Sequence, residues 1–253
     1  MAHPRALGAI VLVASCAFDL DTVPRPIDAR PDAAAVDAML PDASVDRPPD
    51  ASCPTATFSA SAEADTIISS LSPMLNSGTD PVALVGTGSV GLFRFDVTTL
   101  PSTARIQSAS VSFTFAATSS SCAPSCGDCS GFELAGLLSL FAMRSDWDES
   151  IANWTYRASS QFWASAGASQ GGIDRSVAPL ASLNHVPGRT ERFAIDSSAL
   201  ASLNGTWRQS GKLSFQLVPS GGAAMMVATR ESAAERCVAG GYSAAKLAIT
   251  YCP

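Results

Sequence analysis

The chain has 253 residues, of which 47% are hydrophobic and only 15% charged, and its net charge is −6. Its 16 basic residues are nearly all arginine, with lysine only at Lys212 and Lys246, so it lacks the basic face that nucleic-acid binding needs. His3 and His185 are the two histidines, which nearly excludes histidine-based acid–base chemistry, and no apolar run approaches the roughly 18 residues of a membrane-spanning helix.

Residues 1–15 read as an export signal. Arg5 supplies a basic start, the run 7–14 is apolar but too short to span, and small residues follow. The segment Leu12-Val13-Ala14-Ser15-Cys16 resembles the lipobox of bacterial lipoproteins, in which the cysteine is acylated and becomes the new N-terminus. Cys16 is therefore the expected lipidation site, and acyl chains contribute about 0.8 kcal/mol per buried methylene to membrane anchoring. Ala17 rather than Asp follows it, the pattern that in enteric-type lipoproteins favours the outer membrane. Residues 17–52 contain 8 Asp, 8 Ala and 6 Pro, with Pro-Asp-Ala recurring at Pro31, Pro41 and Pro49. Such a stretch has too little apolar surface to offset its ordering entropy, and its prolines and like charges stiffen it. The expectation is a disordered Pro/Asp/Ala-rich tether, so that residues 16–52 space a domain at 53–253 from the membrane.

From residue 53 onward short alternating runs are punctuated by Gly, Pro, Ser and Asn. Runs at 66–69 and 82–85 come first. In Gly91-Leu92-Phe93-Arg94-Phe95-Asp96-Val97, Leu92 and Arg94 face one way while Phe93, Phe95 and Val97 face the other. Further runs lie at 111–115, 137–143, 190–195, 212–218, 225–229 and 246–251. Period two with one apolar face means half-buried strands, and about ten of them predict an all-β sandwich. A short helix is predicted at 198–203, capped by Ser197 or Ser198. Asn184-His185-Val186-Pro187-Gly188 reads as a turn, which puts His185 in a solvated loop.

Several stretches together resemble the DNRLRE-type domain. These are Ala64-Asp65-Thr66-Ile67-Ile68, Asn76-Ser77-Gly78, Leu92 to Val97, Leu100-Pro101 and Ile106-Gln107-Ser108-Ala109. Trp147-Asp148-Glu149-Ser150, Asn153-Trp154, Thr229-Arg230-Glu231-Ser232 and Leu247-Ala248-Ile249-Thr250-Tyr251 extend the match over residues 62–252. Two departures are Ala244-Ala245 where the family commonly has a proline, and an insertion-like stretch at 122–129. The resemblance implies a jelly-roll β-sandwich of bacterial surface proteins, some of whose relatives are carbohydrate-binding modules.

With Cys16 lipidated, six cysteines remain: Cys53, Cys122, Cys126, Cys129, Cys237 and Cys252. An even number in an exported domain points to three disulfides. Cys53 and Cys252 bracket the domain, and the first and last strands of such sandwiches tend to be neighbours, which favours their pairing. One bridge within 122–129 and one from there to Cys237 is the expected remainder. The spacing Cys122-x3-Cys126-x2-Cys129 also matches that of iron–sulfur clusters in radical enzymes, or of zinc sites, but those clusters sit in parallel α/β folds in reducing compartments. No metal and no cofactor is expected.

Catalysis has few candidates. One histidine remains after the leader, no Gly-x-Ser-x-Gly elbow is present, and the glycine pairs at 171–172 and 221–222 precede no phosphate-binding helix. Trp147, Asp148, Glu149 and Trp154 are the candidate ligand contacts, because indoles stack on sugar faces and carboxylates bind hydroxyls; packing within the sandwich competes for the same residues. Arg94 with Asp96, and Arg230 with Glu231, are polar residues on or beside strands that suit either buried pairs or calcium binding with nearby carbonyls; as solvated edge pairs they would contribute only about 0–1 kcal/mol, and no metal site is named from them. The sequence thus predicts a non-enzymatic, membrane-anchored envelope lipoprotein whose sandwich binds polysaccharide. A structural envelope protein with a protein partner, and a polysaccharide-cleaving enzyme using paired carboxylates from Asp146, Asp148 and Glu149, are the alternatives.

Overall fold

Apolar side chains at every second position build the body of the molecule. In the computed structural model, which describes residues 53–80, 82–114, 134–187, 190–231 and 244–253, they form twelve strands and one helix. The expected export signal at 1–15, Cys16, the expected tether at 17–52, and Cys122, Cys126, Cys129 and Cys237 lie outside the described residues.

Eight strands join one antiparallel sheet. In spatial order these are β8 (Ala181–His185), β5 (Gly136–Ala142), β10 (Lys212–Ser220), β3 (Ser89–Asp96), β1 (Ala56–Ser69), β12 (Lys246–Cys252), β4 (Arg105–Phe113) and β9 (Glu191–Ile195). Long strand β1 bridges its two halves: residues Ala56 to Ser61 pair with β12, and Ala62 to Ser69 pair with β3. The terminal strands β8 and β9 are consecutive in the chain, and His185 Nδ1 on β8 lies 3.3 Å from Glu191 Oε1 on β9. The sheet therefore curls almost into a barrel. Its inward face carries Phe93, Phe95, Phe113, Phe193 and Phe215, all fully buried and packed partly edge-to-face, as aromatic quadrupoles favour. The fold is all-β, as the alternating pattern predicts.

Strands β2 (Val82–Val85) and β11 (Met225–Ala228) pair with each other, as do β6 (Tyr156–Ala158) and β7 (Gln161–Phe162). The excursion 143–176 lays a second apolar layer on the outer face of β1 and β3. Ile68, Leu92, Met143, Trp147 and Trp163 pack there. Strand β3 is thus buried on both faces, with Leu92 in the outer layer and Phe93 and Phe95 in the inner one.

Two sequence expectations are corrected. The helix α1 runs Ser197–Ser210 rather than 198–203, and its N-cap is Asp196, whose side chain makes no capping bond. It is longer because Leu200, Leu203 and Trp207 form one buried stripe, and it stops at Gly211, whose left-handed φ of 66° lets its N–H reach the Trp207 carbonyl. His185 is not in a solvated loop. It ends strand β8 at 1% exposure, because the Pro187 turn begins after it. The pairing of Cys53 with Cys252 is present, with Cα atoms 5.8 Å apart.

Candidate functional site

A groove of about 780 Å³ crosses the outer side of β1, β3 and β10, beside the excursion that follows β5. Strand alternation supplies most of it: Glu63 on β1, Arg94 on β3, and Lys212 and Ser214 on β10 point away from the barrel interior. Arg144, Asp146 and Glu149 come from the excursion, Gln209 from the end of α1, and Arg230 from the turn after β11. A second cleft of about 500 Å³ shares Arg94, Asp146 and Glu149 and adds Asp148 and Arg157.

Charges in the groove are paired across it. Glu63 accepts from Arg94 Nε at 3.0 Å and from Lys212 Nζ at 2.6 Å, and Lys212 also donates to Asp96 at 3.0 Å. These bonds raise the Lys212 pKa, with Glu63 the main cause. The Asp96 carboxyl is held well below the usual carboxylate range by the Thr98 hydroxyl and N–H, with Lys212 adding to them. Arg94 therefore pairs with Glu63 rather than with Asp96, its neighbour two residues on. It also donates to the Trp147 carbonyl at 2.6 Å, with its guanidinium 5.0 Å from the Trp147 ring centre. Arg144 is exposed and has no carboxylate partner among the described residues.

One wall of the groove is a polar knot. Asp65, 1% exposed on β1, donates its N–H to Glu149 Oε1 at 2.7 Å and accepts the Arg230 N–H on Oδ2 at 2.8 Å. Arg230 then donates to Glu149 Oε2 at 3.0 Å, to Glu231 Oε1 at 2.7 Å and to the Glu63 carbonyl at 2.6 Å. Asn76 donates to the carbonyls of Glu149 and Ala152. Gly78 lets the 76–78 turn press against Glu149, since a Cβ there would lie 2.4 Å from the Glu149 carbonyl oxygen. Burial pushes the Asp65 carboxyl up to about 7. The Arg230 N–H opposes that rise, while Glu231 and Glu149 add to it. Asp65 Oδ1 and Glu231 Oε2 are buried and have no hydrogen-bond partner among the described residues.

The predicted ligand contacts are brought together, but in different roles. Trp147 is 2% exposed and packs beneath Arg94, so its ring offers no face to a sugar. Trp154 is half-buried, with its ring against Gly167. Asp148 is exposed and closes a turn on Ser150, whose hydroxyl and N–H lower its pKa. Glu149 lines the groove with both carboxylate oxygens engaged. Sequence reasoning did not find Glu63, Asp65, Arg144 or Lys212. An acid followed by Thr66-Ile67-Ile68 was the available sign for Asp65, because an ionisable group opening an apolar strand is usually buried. The others are ordinary charged residues until the sheet order sets β1, β3 and β10 side by side.

Among the described residues no group of three His, Cys, Asp or Glu side chains is placed to hold a metal. A scan against protein-family models returned no match, and a search of curated proteins found none either.

Proposed function

We propose that this is a non-enzymatic, lipid-anchored protein of the bacterial cell envelope, and that its all-β domain binds polysaccharide in the groove bounded by Glu63, Arg144, Glu149 and Lys212. Acylation at Cys16 holds the chain to the membrane, and residues 17–52 carry the domain away from it. One observation carries the binding reading: a 780 Å³ concavity lined by charged and hydroxyl side chains at alternating strand positions. Sugar hydroxyls both donate and accept, so carboxylates and cations set side by side match them without demanding a net charge on the ligand. The non-enzymatic reading is supported at Glu149, one of the three carboxylates considered for cleavage with Asp146 and Asp148, whose two oxygens are taken by the Asp65 N–H and Arg230. A general acid or nucleophile needs an oxygen facing the scissile bond.

The test is binding of the full chain to panels of neutral and acidic polysaccharides, with Arg144→Ala and Lys212→Ala alongside. Binding weakened roughly tenfold or more by either substitution supports the groove. Silence across both panels overturns the reading. Intact mass after membrane extraction tests the anchor, since an unmodified Cys16 thiol contradicts it. A protein partner is the second reading. It is favoured by Leu71, Met74 and Leu75, exposed at 80%, 63% and 60% in the connection between β1 and β2. Crosslinking in intact cells that captures a protein neighbour, in a chain with no glycan affinity, favours that alternative.

A further inference from the structure

Two buried carboxyl oxygens of the knot, Asp65 Oδ1 and Glu231 Oε2, have no hydrogen-bond partner among the described residues. Both belong to groups held by one residue. Arg230 donates its backbone N–H to Asp65 Oδ2, and its guanidinium donates from Nε and Nη2 to Glu231 Oε1. Each carboxyl thus has one oxygen engaged and one orphaned, and Asp65 as a residue is only 1% exposed. Dry, unpaired carboxylate oxygens are costly, so a pair of them calls for a partner that the side chains do not supply. The charge is also out of balance, because Asp65, Glu149 and Glu231 meet a single guanidinium. No other cation nearby makes up the difference: Arg94 and Lys212 are matched by Glu63 and Asp96. Burial lifts the Asp65 carboxyl to about 7, with Glu231 and Glu149 adding to the rise, as befits a site short of positive charge.

We propose that Asp65 Oδ1 and Glu231 Oε2 are ligands of a calcium ion that ties β1 to the turn after β11. The donors decide the metal. They are hard carboxylate oxygens, with no thiolate or imidazole among them, which suits calcium rather than zinc or copper. No group of three His, Cys, Asp or Glu is placed to hold a metal among the described residues, so two carboxylates contribute and backbone carbonyls and water complete the shell. Calcium accepts an irregular, mixed set of about six to eight oxygens, whereas magnesium demands a near-ideal octahedron. Its two charges cancel the excess of the three carboxylates over Arg230. So few charged ligands beside a guanidinium make a weak site, with a Kd of about 0.1–1 mM, the range of extracellular calcium modules. The site stands whether or not the groove binds glycan.

The experiment is calorimetric titration of the full chain with CaCl2 at pH 8, after stripping with EDTA and exchange into chelator-free buffer. About one equivalent is expected to bind with the affinity above, and calcium is expected to raise Tm. Asp65→Asn, which keeps an acceptor for the Arg230 N–H, and Glu231→Gln each weaken that binding roughly tenfold or more. The 8 Asp of residues 17–52 add a background that both variants retain, so the site is the component they remove. Carboxyl-carbon NMR locates it: the Asp65 and Glu231 resonances shift as calcium is added. The ion takes the ionised carboxylate, so the apparent affinity falls roughly tenfold from pH 8 to pH 6 as Asp65 gains its proton. In EDTA at pH 8 the charge excess stands and favours Asp65→Asn over the native chain in stability; calcium narrows that difference. No saturable component up to about 10 mM calcium, binding indifferent to both substitutions, unmoved Asp65 and Glu231 carbons, or a Tm rise that NaCl of equal ionic strength reproduces overturns the site.

Discussion

A methyl group at position 167 would sit 2.5–2.8 Å from three carbons of the Trp154 indole, and Gly167 holds a φ of +75°. Both facts oppose any side chain there. The left-handed backbone costs an alanine about 1 kcal/mol and the overlap about 1–3 more, because the half-buried ring packs against the outer apolar layer and must shift to clear the methyl. Gly167→Ala is expected to lower unfolding free energy by about 2–4 kcal/mol in urea titration, with a change in indole fluorescence. Asp65 makes a prediction of opposite character. Its carboxyl rises from 3.8 unfolded to about 7 folded, so the folded state binds that proton more tightly. The stability it contributes is fully present below about pH 4 and is lost as pH rises through about 7, an upper limit of roughly 4 kcal/mol at about 1.4 per unit. At pH 8 Asp65→Asn is therefore expected to be more stable than the native chain by about 1–4 kcal/mol, a gain that vanishes below pH 4. Urea midpoints for both proteins at pH 4 and 8 check it, and an equal difference at the two values sinks it.

Helix α1 seals one end of the curled sheet. Leu200, Leu203 and Trp207 enter the core that the phenylalanines of β3, β4, β9 and β10 define, and Arg208 ties the helix to the Ala104 carbonyl at 3.0 Å. Trp207 is 3% exposed, and its indole N–H has no acceptor among the described residues. Removing the ring leaves a large cavity, so Trp207→Ala is expected to cost about 3–5 kcal/mol. Trp207→Phe keeps most of the apolar volume and discards the unpaired donor, so its cost should be nearer 1 kcal/mol. Thermal unfolding of the two variants separates them; equal losses would mean the N–H is satisfied in solution. This helix also marks how far the sequence was legible. The alternation at Leu92 to Val97 is strong enough to assign each side chain to its layer, because large apolar residues occupy every inward position. The first half of β1 escaped notice because Phe58, Ala60 and Ala62 alternate with Thr57, Ser59 and Ser61, and alanine against serine is a faint contrast. The end of α1 hid in Asn204-Gly205-Thr206, poor helix formers carried by the tertiary burial of Trp207. The indole–acid cluster was located correctly as a neighbourhood, but a linear sequence does not reveal that Trp147 lies under Arg94 and Glu149 is spent on β1. The groove's own residues are up to 167 positions apart, as Glu63 and Arg230 are, and only the sheet order unites them.

Across the whole molecule, β1 is the strand on which continuity depends. Its first half belongs to the side of β12, β4 and β9, its second to the side of β3, β10, β5 and β8, with a register shift between Ala62 and Ala64 where it changes partner. The Cys53–Cys252 bond sits just beyond the last pair of the β1–β12 ladder, Ala56 with Tyr251, and joins residues 199 apart in sequence. Six consecutive pairs already hold these strands in register, so the covalent link adds little to the native arrangement itself. Its main effect falls on the unfolded chain, which loses the freedom of a loop nearly as long as the domain. In the chain-entropy account a closure of this length stabilises by roughly 4–5 kcal/mol. Cys53→Ser with Cys252→Ser, which also avoids a lone thiol, is therefore expected to lower the urea midpoint sharply. The urea slope should rise, because the unfolded chain without the bond is less compact and exposes more surface. Amide exchange under native conditions should follow the same division: protection of globally exchanging core amides on β3 and β10 falls with the stability, while the hydrogen bonds of the Asp65–Arg230 knot keep their native geometry. A double variant whose midpoint barely moves would mean that the unfolded chain is already compact, and that β1 and β12 find each other without the bond.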